Sequence, residues 1–259
     1  MPAELKSSSQ GKTLVLTICN PEYRNAGSPE IYAAGVEALS VAETSPDVHA
    51  IVITGEGSTF CAGGQLQRLQ ANRQLAPSVQ AESLESLHAW VEAIRTCPKP
   101  VIAAVEGAAA GAGFSLALAC DLLVAADNAV FVMAYATIGI SPDAGGSWSL
   151  ARALPHALAS ELLMLGDRID AARLHALGLV NRLTSPGGAL GEALALAERL
   201  QAKAPNALAS IKELLNEAPV SDLHSHLTRE RDHFVRNLHH RNAGIAIEAF
   251  LNKKPPRFD

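Results

Sequence analysis

Two glycine-rich turns constrain this chain more than any other feature. They are Phe60-Cys61-Ala62-Gly63-Gly64-Gln65-Leu66 and Gly107-Ala108-Ala109-Ala110-Gly111-Ala112-Gly113-Phe114, and a third stretch follows, Gly139-Ile140-Ser141-Pro142-Asp143-Ala144-Gly145-Gly146. Small residues in two separate turns let backbone N–H groups approach a ligand without side-chain interference. Two such groups aimed at one carbonyl oxygen stabilise a developing oxyanion. Asp143 stands just downstream as a carboxylate able to move a proton.

The segments around these turns alternate in type. Thr13 to Cys19 and Val48 to Thr54 are short, β-branched, apolar runs that predict strands, and between them Ser28 can cap a helix that Pro29 opens. Leu84, Leu87, Val91 and Ile94 recur at helical spacing within Val79 to Thr96, and Cys97-Pro98 stops that helix. Val101 to Val105 reads as a buried strand, Gly111 to Ala119 as a helix directly after it, and Leu122 to Ala125 and Phe131 to Met133 as further strands. Helical crossovers of this kind predict largely parallel sheets, hence an α/β fold. From Gly187 onward the pattern is helical only: Leu190, Leu194, Ala197 and Leu200 form one stripe, Pro205 opens a second helix, and Asp222 to His239 make a third.

Composition narrows the functional classes. A chain of 259 residues with 48% hydrophobic and only 4% aromatic content suits helices packed closely on a sheet. A net charge of −5 argues against a nucleic-acid partner, which would need basic residues to displace phosphate counterions. The polar start, Met1 to Lys12, lacks a signal-peptide core, and the least polar run, Gly107 to Cys120, is shorter than a membrane span, so a soluble cytoplasmic protein is expected. Cys19, Cys61, Cys97 and Cys120 form no CxxC pair and read as reduced, buried thiols; Cys61, inside the first turn, reads as packing rather than as a nucleophile.

The string Lys99-Pro100-Val101-Ile102-Ala103-Ala104-Val105-Glu106-Gly107, leading through Ala110-Gly111-Ala112-Gly113 to Cys120-Asp121, resembles the enoyl-CoA hydratase/isomerase (crotonase) superfamily, as does Phe60 to Leu66. The likeness continues through Ala151-Arg152, Leu165 to Ile169, Gly178-Leu179-Val180 and the closing Ala249 to Phe258. It implies a crotonase-like ββα spiral over residues 1–190 and a C-terminal helical region over 191–259 that packs on neighbouring subunits, in a homotrimer or dimer of trimers. The implied substrate is an acyl-CoA thioester, with coenzyme A present only as part of the substrate and no metal or other cofactor required.

The resemblance also implies roles. The oxyanion-hole donors map to the N–H groups of Gly64 and Ala112, alanine standing at the latter where glycine is usual. Ser115 and Tyr135 occupy the positions of the two glutamates of the hydratases, and neither can serve as a carboxylate base near neutral pH. Asp143 matches the aspartate of several double-bond isomerases, including those of phenylacetyl-CoA breakdown; its ordinary reading is an N-cap for the helix begun at Ala144-Gly145-Gly146. His88, Tyr135 and Asp143 also fall where chlorobenzoyl-CoA dehalogenases carry histidine, tryptophan and a nucleophilic aspartate, although a half-buried helical histidine explains His88 as well. Arg24, Ala26 and Ala62 are expected beside coenzyme A, and Phe250 and Lys253 at the nucleotide of a neighbouring subunit. The usual aspartate after the Ala-Gly turn is Gln65 here.

His226, His233 and His240 invite a metal reading. Seven residues apart on a helix, they lie about 10 Å from one another, too far to share one ion. The expected activity is therefore proton transfer by Asp143 on an unsaturated acyl-CoA, ring-derived or linear: double-bond isomerisation or a related hydration. The alternatives are covalent catalysis by Asp143 with His88, and a non-catalytic acyl-CoA-binding protein.

Overall fold

The computed structural model describes residues 3–258. Its chain order is β1 (Glu4–Gln10), β2 (Thr13–Cys19), α1 (Pro29–Thr44), β3 (Ala50–Gly55), α2 (Leu66–Asn72), α3 (Pro77–Thr96), β4 (Val101–Val105), β5 (Ala108–Ala110) and α4 (Ala112–Ala119). Then follow β6 (Leu122–Ala126), β7 (Val130–Val132), α5 (Gly146–Ala153), α6 (His156–Leu165), β8 (Ile169–Asp170), α7 (Ala171–Ala176), β9 (Arg182–Thr184) and α8 (Ala189–Gln201). Helices α9 (Pro205–Glu217), α10 (Leu223–Leu238) and α11 (Arg241–Leu251) end the chain.

A six-stranded sheet runs β1-β2-β3-β4-β6-β9 and a smaller one β5-β7-β8. All pairings in the large sheet are parallel except β1 with β2, where Leu5 faces Ile18. The chain passes from the large sheet to the small one and back through a helix, as β4–β5–α4 and then β6–β7, which is the expected ββα spiral. The predicted strands at 13–19 and 101–105 are present with those bounds. β1 was not anticipated: its Glu-Leu-Lys-Ser-Ser-Ser-Gln sequence is almost wholly exposed and is held at the sheet edge by hydrogen bonds to β2 rather than by burial.

Strand alternation divides the interior into two cores. Ile51, Ile53, Val101, Ala103 and Val105 face the larger one, against α1, α3 and α4. Val52, Ile102, Ala104 and Val124 face the other, where Ala189, Ala193, Leu196 and Ala197 of α8 cover the sheet. The buried line of α8 is thus centred on small residues, with Leu190, Leu194 and Leu200 flanking it, because alanine lets the helix approach the sheet closely. The boundary expected at 190/191 falls inside α8.

The later helices are fastened by Lys212 of α9. Its ammonium donates to Asp121 Oδ2 at 2.8 Å and to the Ile94 carbonyl at 2.8 Å, and Asp121 Oδ2 also accepts from the Val101 N–H. Among the described residues no helix is long and apolar enough to cross a membrane.

Candidate active site

The site begins with the way the two turns interlock. The first is stitched to the second by the Cys61 N–H to the Ala108 carbonyl (3.1 Å) and the Ala110 N–H to the Cys61 carbonyl (2.9 Å). On its other side, the Gly27 N–H donates to the Gly63 carbonyl at 2.8 Å and the Ala62 N–H to the Arg24 carbonyl at 3.1 Å. Contact this close demands missing side chains: a Cβ on Gly63, at φ 91°, would lie 2.7 Å from the Ala110 carbonyl oxygen, and one on Gly113 would collide with the Cys61 carbonyl. Among the described residues neither the Gly64 nor the Ala112 N–H has a protein acceptor.

Ala112 is compatible with this role. The left-handed step falls on Gly111, φ 48°, so Ala112 itself is the first residue of α4 with ordinary helical backbone. Its N–H is therefore one of the unpaired donors at the positive end of a buried helix, which favours negative charge nearby. Asn25 holds the opposite wall in place. Buried at φ 59°, it accepts from the Asn20 N–H and donates to the carbonyls of Glu56 (2.9 Å) and Thr59 (2.6 Å). Sequence reading placed no weight on Asn25, though asparagine is one of the few residues that tolerates the left-handed region.

Asp143 does not cap a helix. The N-cap of α5 is Gly145, with no side-chain capping bond, and Ala144 and Gly145 both adopt left-handed backbone at φ 50° and 75°. That pair of residues turns the chain so that the Asp143 side chain leaves the helix and accepts a 2.6 Å hydrogen bond from the Tyr135 hydroxyl. The Tyr135 hydroxyl lies 3.4 Å from Ser115 Oγ, and Ser115 Oγ donates to the Gly111 carbonyl. The Tyr135 ring also lies against Gly111, the hinge of the second turn. One phenol thus connects the carboxylate to the turn that presents Ala112.

Burial pushes the Asp143 carboxyl up from its ordinary range, opposed by the Tyr135 hydrogen bond and by the field of His88. The result is a carboxylate more basic than a solvated one, suited to accepting a proton. Tyr135 is displaced upward, mainly by burial and then by the Asp143 charge, so it remains a protonated donor. His88, half-buried on α3, is close enough for its charge to be felt at Asp143 but makes no hydrogen bond to it. Burial drives the Cys61 thiol up to about 11, in keeping with packing rather than nucleophilic attack.

Of the residues expected at coenzyme A, the structure brings Arg24, Ala26 and Ala62 beside the first turn, with the Arg24 side chain exposed. Phe250, 83% exposed, and Lys253 lie at the end of α11, which packs on α10, and one chain alone does not carry them to the turns. Gln65 is the N-cap of α2 without a side-chain capping bond. The three histidines occupy separate settings: His226 near Glu230, His233 near Glu213, and His240 accepting from the Asn242 N–H at the start of α11.

Comparison with known proteins agrees with this geometry. The family model described as enoyl-CoA hydratase/isomerase matches residues 8–259. The chain is 38% identical over 251 residues to a putative enoyl-CoA hydratase of Thermus thermophilus, covering 96% of this chain and 98% of that one. It is 34% identical over 252 residues to 1,2-epoxyphenylacetyl-CoA isomerase of Escherichia coli, covering 95% and 94% respectively. Among solved structures, an enoyl-CoA hydratase from Polaromonas sp. JS666 superposes with a TM-score of 0.98 at 68% identity, over 99% of this chain and 100% of that one. With the interlocked turns, the spiral fold and these relatives in agreement, the chain belongs to the enoyl-CoA hydratase/isomerase (crotonase) family.

Proposed function

We propose that this enzyme of the enoyl-CoA hydratase/isomerase type moves a double bond in an unsaturated acyl-CoA, with Asp143 as the sole carboxylate that carries the proton. The thioester oxygen sits between the N–H groups of Gly64 and Ala112. The Asp143 carboxylate removes a proton from one carbon of the acyl group, the resulting dienolate is held by the two amides, and Asp143 returns the proton to another carbon. The carboxylate is regenerated, so the step needs no further reagent. A related hydration, in which water adds to the same polarised enoyl group, uses the same parts. Ser115 and Tyr135 cannot supply an acid–base pair of carboxylates; Tyr135 instead holds the Asp143 carboxylate.

The observation that carries this reading is the 2.6 Å bond from Tyr135 to Asp143, because it takes the acid away from its helix and ties it to the second turn. The test is conversion between 3-enoyl- and 2-enoyl-CoA, followed by absorbance of the conjugated thioester. Asp143→Asn is expected to abolish turnover while acyl-CoA binding persists, and unchanged turnover would reject the assignment.

Arg24, Ala26 and Ala62 are assigned to coenzyme A on the same chain, and Phe250 and Lys253 to the nucleotide held by a neighbouring copy. Homotrimer assembly, or a pair of trimers, fits the exposure of Ile211, Leu215, Leu227, Phe234, Phe250 and Leu251 on the last helices, since exposed apolar side chains grouped on one region mark an interaction site. Sedimentation equilibrium tests it. Four unpaired cysteines suit residence in a reducing cytoplasm.

A further inference from the structure

The stretch that carries Asp143 ends on a glycine packed against the second turn. A Cβ on Gly146 would collide with Ser115 Oγ and press on Met133 Cε. The missing side chain leaves room for the Ser115 hydroxyl, which is fully buried and lies in the first turn of α4. That hydroxyl has a single proton and two oxygens in reach, the Gly111 carbonyl at 3.2 Å and the Tyr135 hydroxyl at 3.4 Å. Tyr135 donates its own O–H to Asp143 at 2.6 Å, so it offers Ser115 only a lone pair. The shorter contact, to the carbonyl, is ordinary geometry for a serine reaching back one helical turn.

The Gly111 carbonyl is the other end of the peptide unit that presents the Ala112 N–H. A peptide is planar and trans, so whatever fixes the direction of its carbonyl also fixes the direction of its amide, opposite to it. Gly111, at φ 48° and ψ −120°, has no side chain to restrain that plane. Ser115 supplies the restraint twice. Its N–H donates to the Gly111 carbonyl at 3.0 Å and its hydroxyl donates to the same oxygen at 3.2 Å. A hydrogen bond received at C=O also polarises the peptide and strengthens its N–H as a donor.

We infer that Ser115 is a positioning residue for the oxyanion: its hydroxyl, seated in the space left by Gly146, aims and polarises the Ala112 N–H through the shared Gly111–Ala112 peptide. The inference rests on the acyl-CoA reading above, in which Gly64 and Ala112 hold the thioester oxygen. It gives Ser115 a part in the amide half of the site rather than in proton transfer. A better-polarised amide gains most as negative charge builds on that oxygen, so the hydroxyl acts on kcat more than on ground-state binding. The Tyr135 bond to Asp143 does not pass through Ser115, and the acid is left as it is.

The test compares the wild type with Ser115→Ala and with Ser115→Cys, which refills the volume but carries only a weak donor. Butyryl-CoA, isotope-labelled at its thioester carbonyl, is bound to each protein, and infrared difference spectra read the carbonyl stretch. The wild type is expected to lower that stretch relative to the free ester, and both variants to return it part of the way. Calorimetric affinity for butyryl-CoA should stay within about twofold of wild type. Turnover of a 3-enoyl-CoA should fall by about tenfold in kcat in both variants, less than the loss of about 10²–10³ that follows removal of a whole oxyanion donor. The acidic limb of the pH profile should stay in place. A wild-type carbonyl band in both variants, or wild-type kcat in the cysteine variant, would overturn the role of the Ser115 hydroxyl while leaving the acyl-CoA reading intact. A displaced acidic limb would overturn it too, by moving the action of Ser115 to Asp143. Failure of the wild type to bind butyryl-CoA, or to lower its carbonyl stretch, would overturn the oxyanion reading and the role of Ser115 with it.

Discussion

Replacing Tyr135 with phenylalanine removes one hydroxyl and keeps the ring against Gly111, which makes it a narrow probe of what sets the basicity of Asp143. In the folded protein, burial raises the Asp143 pKa and the Tyr135 hydrogen bond, at 2.6 Å, opposes that rise by stabilising the ionised form. A hydrogen bond to a charged group contributes about 1.5–3 kcal/mol. At 1.36 kcal/mol per pKa unit, its loss should move the acidic limb of the pH profile of kcat/KM upward by about one to two pH units. A carboxyl whose folded pKa is raised contributes stability below its unfolded pKa and loses it as pH rises through the folded value. Removing the compensating hydroxyl should therefore destabilise Tyr135→Phe most at neutral pH, by about 1–3 kcal/mol, and less at acid pH where Asp143 is protonated in both proteins. Initial rates across pH with a 3-enoyl-CoA, together with urea unfolding at two pH values, measure both. A folded variant whose acidic limb coincides with that of the wild type would refute the claim that Tyr135 tunes Asp143.

Other outcomes follow from the same geometry. Asp143→Asn should unfold at an equal or higher urea concentration than wild type at neutral pH, because it removes a carboxylate penalised by burial, and the two proteins should converge as pH falls through the Asp143 pKa. Gly113→Ala should lower kcat by about 10²–10³ in a protein that still folds, because the added methyl collides with the Cys61 carbonyl and pushes the Ala112 N–H away from Gly64; steady-state kinetics and circular dichroism separate these effects. Lys212→Met should cost about 1–3 kcal/mol in denaturant unfolding by removing the 2.8 Å bond to Asp121, whose solvent-accessible carboxylate keeps water as an alternative partner, and the double variant with Asp121→Asn should recover part of that loss. Protein quenched during turnover with an aroyl-CoA should show no added mass on Asp143; a covalent acyl or aryl adduct would replace proton transfer with nucleophilic attack.

Several features were legible from residue order alone. Strands β2 and β4 are continuous apolar runs because both faces of the sheet are covered, and nothing in their sequence fits a half-exposed strand or a surface helix. The glycines of the two turns were equally readable, since backbone approaches backbone there and any Cβ would intrude. Strand β1 was not, because its hydrogen bonds to β2 depend on an edge that exists only once the sheet has formed. The role of Asp143 was open in the same way: aspartate before Ala-Gly-Gly is an ordinary capping pattern, and the left-handed Ala144-Gly145 pair and the Tyr135 hydroxyl decided otherwise. Lys212 and Asp121 stand 91 residues apart, and no local pattern marks either as the other's partner. Residue order, then, determined the backbone of the site, because glycine, proline and β-branched side chains act on their own neighbours. Tertiary structure decided which side chains meet there, because burial and pairing depend on residues brought together from distant parts of the chain.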